Sequence, residues 1–157
     1  MYYKDTINIR IKKMHPEAKI PRYAKLGDAG LDLTATSKWY DEDGNVCYGL
    51  GLAFELPEGY VGLIFPRSSN SKKYLAMSNS VGVLDSGYRG EVTAKFKPSA
   101  IYRDEKNIDT PYNPYEYEVG DRVAQLLILP YPQIHFIESD ELTETERGCC
   151  GYGSSGA

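Results

Sequence analysis

Apolar residues in this chain come in short alternating runs, none long enough to give a helix a buried face, and that pattern directs the fold toward packed β-strands. Ile7, Ile9 and Ile11 alternate with Asn8 and Arg10, the period of a strand with one face in the core. Leu31, Leu33 and Ala35 repeat it, as do Val61, Leu63 and Phe65, then Val92, Ala94 and Phe96, and near the end Ile134 and Phe136. Residues 123–129 are apolar apart from Gln125, which predicts a strand covered on both faces, inside a sandwich or against another subunit, stopped by Pro130 and Pro132. With 14 Tyr, 15 Gly and 9 Pro and no internal repeat, many short strands joined by turns are expected, in a sandwich or jelly roll.

A chain of 157 residues is expected to form one domain that buries a core without metal or disulfide staples. Its net charge of −4 argues against nonspecific binding to nucleic acid or to an anionic membrane, since both reward a basic surface. No stretch approaches the length of a membrane span, and residues 1–10 lack the apolar core of a signal peptide, so the expected compartment is the cytoplasm. Cys47, Cys149 and Cys150 have no zinc-like spacing and suit a reducing environment; the adjacent pair is either a redox or metal-capture element or two incidental thiols. Residues 37–48, with Trp39 and the turn Asp43-Gly44-Asn45, and residues 101–118, rich in Tyr, Pro and acid, look like surface insertions with no chemistry of their own.

Four stretches carry candidate chemistry. Residues 82–90 read Gly-Val-Leu-Asp-Ser-Gly-Tyr-Arg-Gly, which predicts a β-hairpin displaying Asp85 and Tyr88; Asp85 serves either turn geometry or a pocket. Pro66-Arg67-Ser68-Ser69 follows an apolar strand, where Arg67 and the hydroxyls either cap a short helix or converge on a phosphate. In Gly120-Asp121-Arg122-Val123-Ala124-Gln125 a turn leads into the buried strand, and Gln125 needs hydrogen-bond partners, either backbone or phosphate. The tail from Arg147 holds a guanidinium, Tyr152, Gly153 and the hydroxyls of Ser154 and Ser155 among glycines, either a scrap or a flexible lid.

Together with Asp28-Ala-Gly-Leu-Asp-Leu33, these blocks stand in an order that resembles the homotrimeric dUTP pyrophosphatases, the dUTPases. The resemblance implies an all-β, jelly-roll-like β-barrel over residues 1–146 and a lid over 147–157. Three subunits would build active sites at their interfaces, hydrolysing dUTP to dUMP and pyrophosphate; this limits uracil incorporation into DNA and supplies dUMP for dTMP synthesis. By carry-over, Asp85 deprotonates the water that attacks the α-phosphorus. Asn79, Gly82, Val83 and Leu84 accept deoxyuridine through backbone groups, and the Tyr88 ring packs on deoxyribose and excludes a 2′-hydroxyl. Arg67, Ser68, Ser69 and Gln125 hold the phosphates from neighbouring subunits. Mg²⁺ is carried chiefly by the triphosphate, with Asp32 at most an outer-shell partner. Tyr152 stacks over uracil while Arg147, Gly153, Ser154 and Ser155 close on the substrate.

Tyr152 stands where the family commonly has Phe, Cys149 and Cys150 are unusual in the tail, and residues 101–118 are longer than usual. The related dCTP deaminases, some of which also cleave dUTP, activate water with a glutamate shortly after the hairpin. Lys95 occupies that position here and cannot act as that carboxylate. A noncatalytic nucleotide-sensing regulator on the same scaffold is the alternative of another class; the presence of both Asp85 and the tail argues against it.

Overall fold

The computed structural model describes residues 6–98 and 115–150. Its strands are β1 (Arg10–Lys13), β2 (Leu31–Thr34), β3 (Ser37–Tyr40), β4 (Val46–Gly49), β5 (Leu52–Glu55), β6 (Tyr60–Pro66), β7 (Leu75–Met77), β8 (Gly82–Leu84), β9 (Thr93–Pro98) and β10 (Arg122–Pro130). A single 3-10 turn, Ser68–Lys72, interrupts them among the described residues. Two antiparallel sheets, in the orders β2-β10-β6-β8 and β3-β4-β9-β7, share one core, and β1 pairs with β5 as a separate ribbon. This is the all-β, jelly-roll-like plan that short alternating runs predict.

The core takes Leu33, Val123 and Leu126 from one sheet, Val46, Tyr48 and Phe96 from the other, and Leu50 and Leu52 from the chain between them. Tyr48 and Phe96 meet edge to face with centroids 5.9 Å apart. Leu126 is wholly buried at the middle of the longest strand. Leu126→Ala is expected to cost about 2–5 kcal/mol of stability, read as a fall in the denaturant midpoint at constant m-value.

The strand pattern departs from expectation at its ends. The first strand begins at Arg10, and Ile7 is exposed. Its partner β5 stops at Glu55, and the Pro57 just beyond cannot donate to a ladder. In β6 the buried residues are Gly62 and Ile64, while Val61, Leu63 and Phe65 are half-buried on the opposite face, because β6 is central between β10 and β8. The expected two-sided burial of residues 123–129 holds from Val123 to Leu126 and fades to an exposed Leu129. Ile134 and Phe136 form no strand and stand 69% and 87% exposed, because no strand among the described residues pairs with them beyond Pro130 and Pro132. Residues 37–48 do form a hairpin with Trp39 exposed, but its return strand β4 is buried throughout, since it sits between β3 and β9.

The predicted hairpin at residues 82–90 is not a hairpin. β8 pairs with β6 in one sheet and β9 pairs with β4 and β7 in the other, so the turn after Leu84 is an arch carrying the chain across the core. The residues dictate the turn but not its partners: Asp-Ser-Gly specifies a reversal without specifying which sheet the next strand joins.

Candidate active site

The arch walls a cavity of about 240 Å³, to which Asn79, Gly82, Val83, Leu84, Asp85 and Tyr88 all contribute, together with Glu91. Strand periodicity explains the division of labour in β8: Gly82 and Leu84 face the core and Val83 faces out, 63% exposed. Asp85 follows as the first residue past the strand, with its carboxylate exposed and its carbonyl receiving the Tyr88 N–H at 3.1 Å. The Tyr88 ring folds back over its own turn, in space that a Cβ at Gly90 would fill, and its hydroxyl donates to the Glu91 carbonyl at 3.1 Å. Ser80, beside Asn79, holds a left-handed φ of 59°, a shape that non-glycine residues adopt chiefly where surroundings compel it.

A second cluster lies where β6 ends. Arg67 grips Asp32 with both branches of its guanidinium, Nη2 lying 3.3 Å from Oδ2, and Arg122 Nη1 reaches the same oxygen at 3.1 Å. Two guanidinium groups against one carboxylate leave a surplus of positive charge, which suits a phosphate chain. Arg67 Nη1 also donates to Ser69 Oγ at 3.1 Å, while Ser68 is exposed at the start of the 3-10 turn. The Gln125 amide donates to the Pro66 carbonyl at 3.0 Å, the backbone partner its place in an apolar strand demands. Its Oε1 packs so tightly against Gly30 that a Cβ there would come within 2.5 Å, which explains a glycine in the Asp28–Leu33 block.

The two clusters do not meet within one chain. Antiparallel register sets Gly82 opposite Ile64 and Leu84 opposite Gly62, so the chain runs to Asp85 away from Pro66 and Arg67. At about 3.3 Å per residue, Asp85 and Arg67 stand roughly 20 Å apart along the strands. Arg147 is exposed and turns on itself, its Nε donating to the Cys150 carbonyl at 3.1 Å. Tyr152, Gly153, Ser154 and Ser155 lie outside the described residues, as do residues 99–114 of the second insertion.

Lys95 is exposed on β9, outside the cavity wall, and bonds Asp41 at 3.0 Å. The hydrogen bond from Lys95, with the Asn45 N–H beside it, holds the Asp41 carboxyl well below the usual range. Sequence reading passes over Glu91, which lines the cavity and whose Oε1 accepts the Gly51 N–H at 2.7 Å, because only the arch brings it there. It also passes over the grip of Arg122 on Asp32, which depends on the pairing of β10 with β2. Among the described residues no cluster of three or more His, Cys, Asp and Glu could cage a metal, and no helix is long and apolar enough to cross a membrane.

Comparison with known proteins places these features in a family. The family profile described as dUTPase matches residues 16–156. The deoxyuridine 5′-triphosphate nucleotidohydrolase of Nocardia farcinica is 41% identical over 150 residues, covering 94% of this chain and 85% of the relative. That of Corynebacterium diphtheriae is 40% identical over 150 residues, covering 94% and 92%. Among solved structures, a mutant dUTPase of Staphylococcus bacteriophage 80alpha with dUpNHpp aligns with a TM-score of 0.80 at 26% identity, over 97% of this chain and 100% of that one. A mutant dUTPase from phage phi11 of S. aureus, described as coordinating a structural Mg(II) ion, aligns with a TM-score of 0.70 at 25% identity, over 86% and 98%.

Proposed function

The chain belongs to the dUTPase family, and from that premise we propose that it hydrolyses dUTP to dUMP and pyrophosphate in sites completed by neighbouring copies of itself. The observation that carries the shared-site reading is the strand register that holds Asp85 and Arg67 at opposite ends of β6 and β8. A base acting at the α-phosphorus and an arginine holding the same triphosphate have to lie within a few ångströms of one substrate, so the Arg67 cluster that serves a given Asp85 comes from another copy. Exposed Ile134, Phe136, Ile137 and Leu142 beyond β10 support self-association into the expected homotrimer, since a lone chain gains nothing by leaving them in water.

In this reading the uracil and sugar occupy the cavity beneath the arch. Main-chain groups of β8 face the base, Asn79 borders it, and the Tyr88 ring lies against the deoxyribose where a 2′-hydroxyl would need room. Asp85 takes a proton from a water molecule, whose oxygen forms a bond to the α-phosphorus as the bond to the bridging oxygen breaks and pyrophosphate leaves. Arg67, Ser68, Ser69 and Gln125 of another copy hold the phosphates, and residues 147–157 close over the site with Tyr152 on the base.

The acidic residues fit a metal that arrives on the substrate better than one held in a protein cage. Both Asp32 oxygens already receive guanidinium hydrogen bonds, which leaves that carboxylate an outer-shell role at most. Mg²⁺ bound to the triphosphate supplies charge neutralisation and helps to orient the leaving group. The free thiols Cys47, Cys149 and Cys150 suit the reducing cytoplasm.

A substrate panel tests the proposal, read for both pyrophosphate and ammonia. The expected outcome is rapid pyrophosphate release from dUTP, little from dCTP, dTTP or UTP, and no ammonia from dCTP. Ammonia release would return the deaminase alternative, which the outward-facing Lys95 disfavours. Nucleotide binding without either product would return the regulatory one.

A further inference from the structure

Tyr117 lies in the stretch whose sequence shows no chemistry, yet it is 3% exposed and its ring is locked from several sides. The Tyr48 hydroxyl donates to the Tyr117 carbonyl at 3.1 Å and receives the Tyr117 N–H at 3.0 Å, and burial pushes the Tyr48 phenol far above its ordinary pKa, so it remains a donor. The two rings meet edge on at 6.0 Å, Phe96 packs at 6.1 Å, and Lys73 Nζ sits 5.2 Å over the Tyr117 ring. A phenylalanine would satisfy all of these contacts. What the packing does not require is the hydroxyl, and that hydroxyl ends 3.4 Å from Ser69 Oγ.

A serine hydroxyl has one proton and two acceptor positions. One acceptor position on Ser69 already receives Arg67 Nη1. If Ser69 donated to Tyr117, the buried phenol proton would find no acceptor among the described residues, a costly arrangement. With donation from Tyr117 to Ser69, both acceptor positions on Ser69 are filled, and the serine proton is left to point away from Arg67 and Tyr117 toward an incoming acceptor.

We propose that Tyr117 is a positioning residue that sets the Ser69 hydroxyl as a donor to a substrate phosphate, an inference that rests on the reading above in which Ser69 touches the phosphates. It makes part of the loop after β9 an element of the active site, anchored in the core by Tyr48.

The test compares Tyr117→Phe, Ser69→Ala and the double variant in the full-length protein. It measures kcat and KM for dUTP, affinity for dUpNHpp and for deoxyuridine, and thermal midpoint. Tyr117→Phe is expected to weaken dUpNHpp binding and lower kcat/KM by about threefold to tenfold, the scale of the one neutral hydrogen bond that the variant removes, while leaving deoxyuridine affinity and the thermal midpoint near the parent. In the Ser69→Ala background it should do nothing further. A parental kcat/KM for Tyr117→Phe beside a damaged Ser69→Ala would overturn the role of Tyr117 alone. So would losses that multiply in the double variant, or an equal loss of deoxyuridine affinity, which marks a general disturbance. A harmless Ser69→Ala would instead remove the phosphate contact on which the inference stands.

Discussion

The Asp85→Asn protein is expected to fold, assemble and bind dUTP like its parent while releasing pyrophosphate roughly 10²–10⁴-fold more slowly, the range over which a positioned general base commonly acts. The fold has little reason to notice the change. The side chain is exposed at the end of β8, and among the described residues its carboxylate makes no hydrogen bond that asparagine would break. The amide keeps the shape and can still hold a water molecule, but it cannot accept the proton that attack on phosphorus releases. Steady-state pyrophosphate release measures the rate, and dUpNHpp titration shows whether binding survives. An unchanged rate would move the base elsewhere, and Glu91 is then the first carboxylate to examine, since it lines the same cavity. Its bond to the Gly51 N–H argues that it is already engaged in holding the arch.

Removing residues 147–157 is expected to leave assembly and thermal midpoint intact and to slow turnover on the order of 10²-fold or more, the cost of losing preorganised donors around a developing charge. Among the described residues, the Arg147 guanidinium bonds the carbonyl of Cys150 within its own turn and reaches neither sheet. Loss of the segment should therefore be felt by the bound triphosphate, through water exclusion and the missing guanidinium and hydroxyls, and not by the core. Light scattering after size exclusion reports assembly, and single-turnover hydrolysis reports the chemistry. Dissociation or unfolding on truncation would make the tail a structural element instead of a lid.

How far the sequence alone reaches depends on whether a residue's role is local. Alternation at Leu31 and Leu33 and at Ala94 and Phe96 announces strands with one buried face, and those strands form. The apolar run around Leu126 announces a central strand, because residues covered on both sides leave no polar gaps. The turn at Asp85 is equally legible, but its place in an arch between sheets is not, since that is decided by β6 and β4 claiming β8 and β9 separately. Ile134 and Phe136 mislead for a related reason: their alternation is a strand signal, and among the described residues it finds no neighbour. In the site, Gln125 and Arg67 are legible as side chains that need partners. Asp32 as the anchor of two guanidinium groups and Tyr117 as the partner of Ser69 arise only when segments 35 to 90 residues apart are brought together.

β8 closes one side of its sheet, with β6 on one flank and, among the described residues, no strand on the other. On the proposed reading, a nucleobase seated there is inspected by amides and carbonyls that every amino acid possesses, so drift in the side chains of residues 82–84 would leave the choice of base largely intact. Altering that choice would require bending the strand itself, which its pairing with β6, Gly82 opposite Ile64, resists. On that reading, discrimination against other pyrimidines is lodged in the one part of the polypeptide that point mutation cannot rewrite directly.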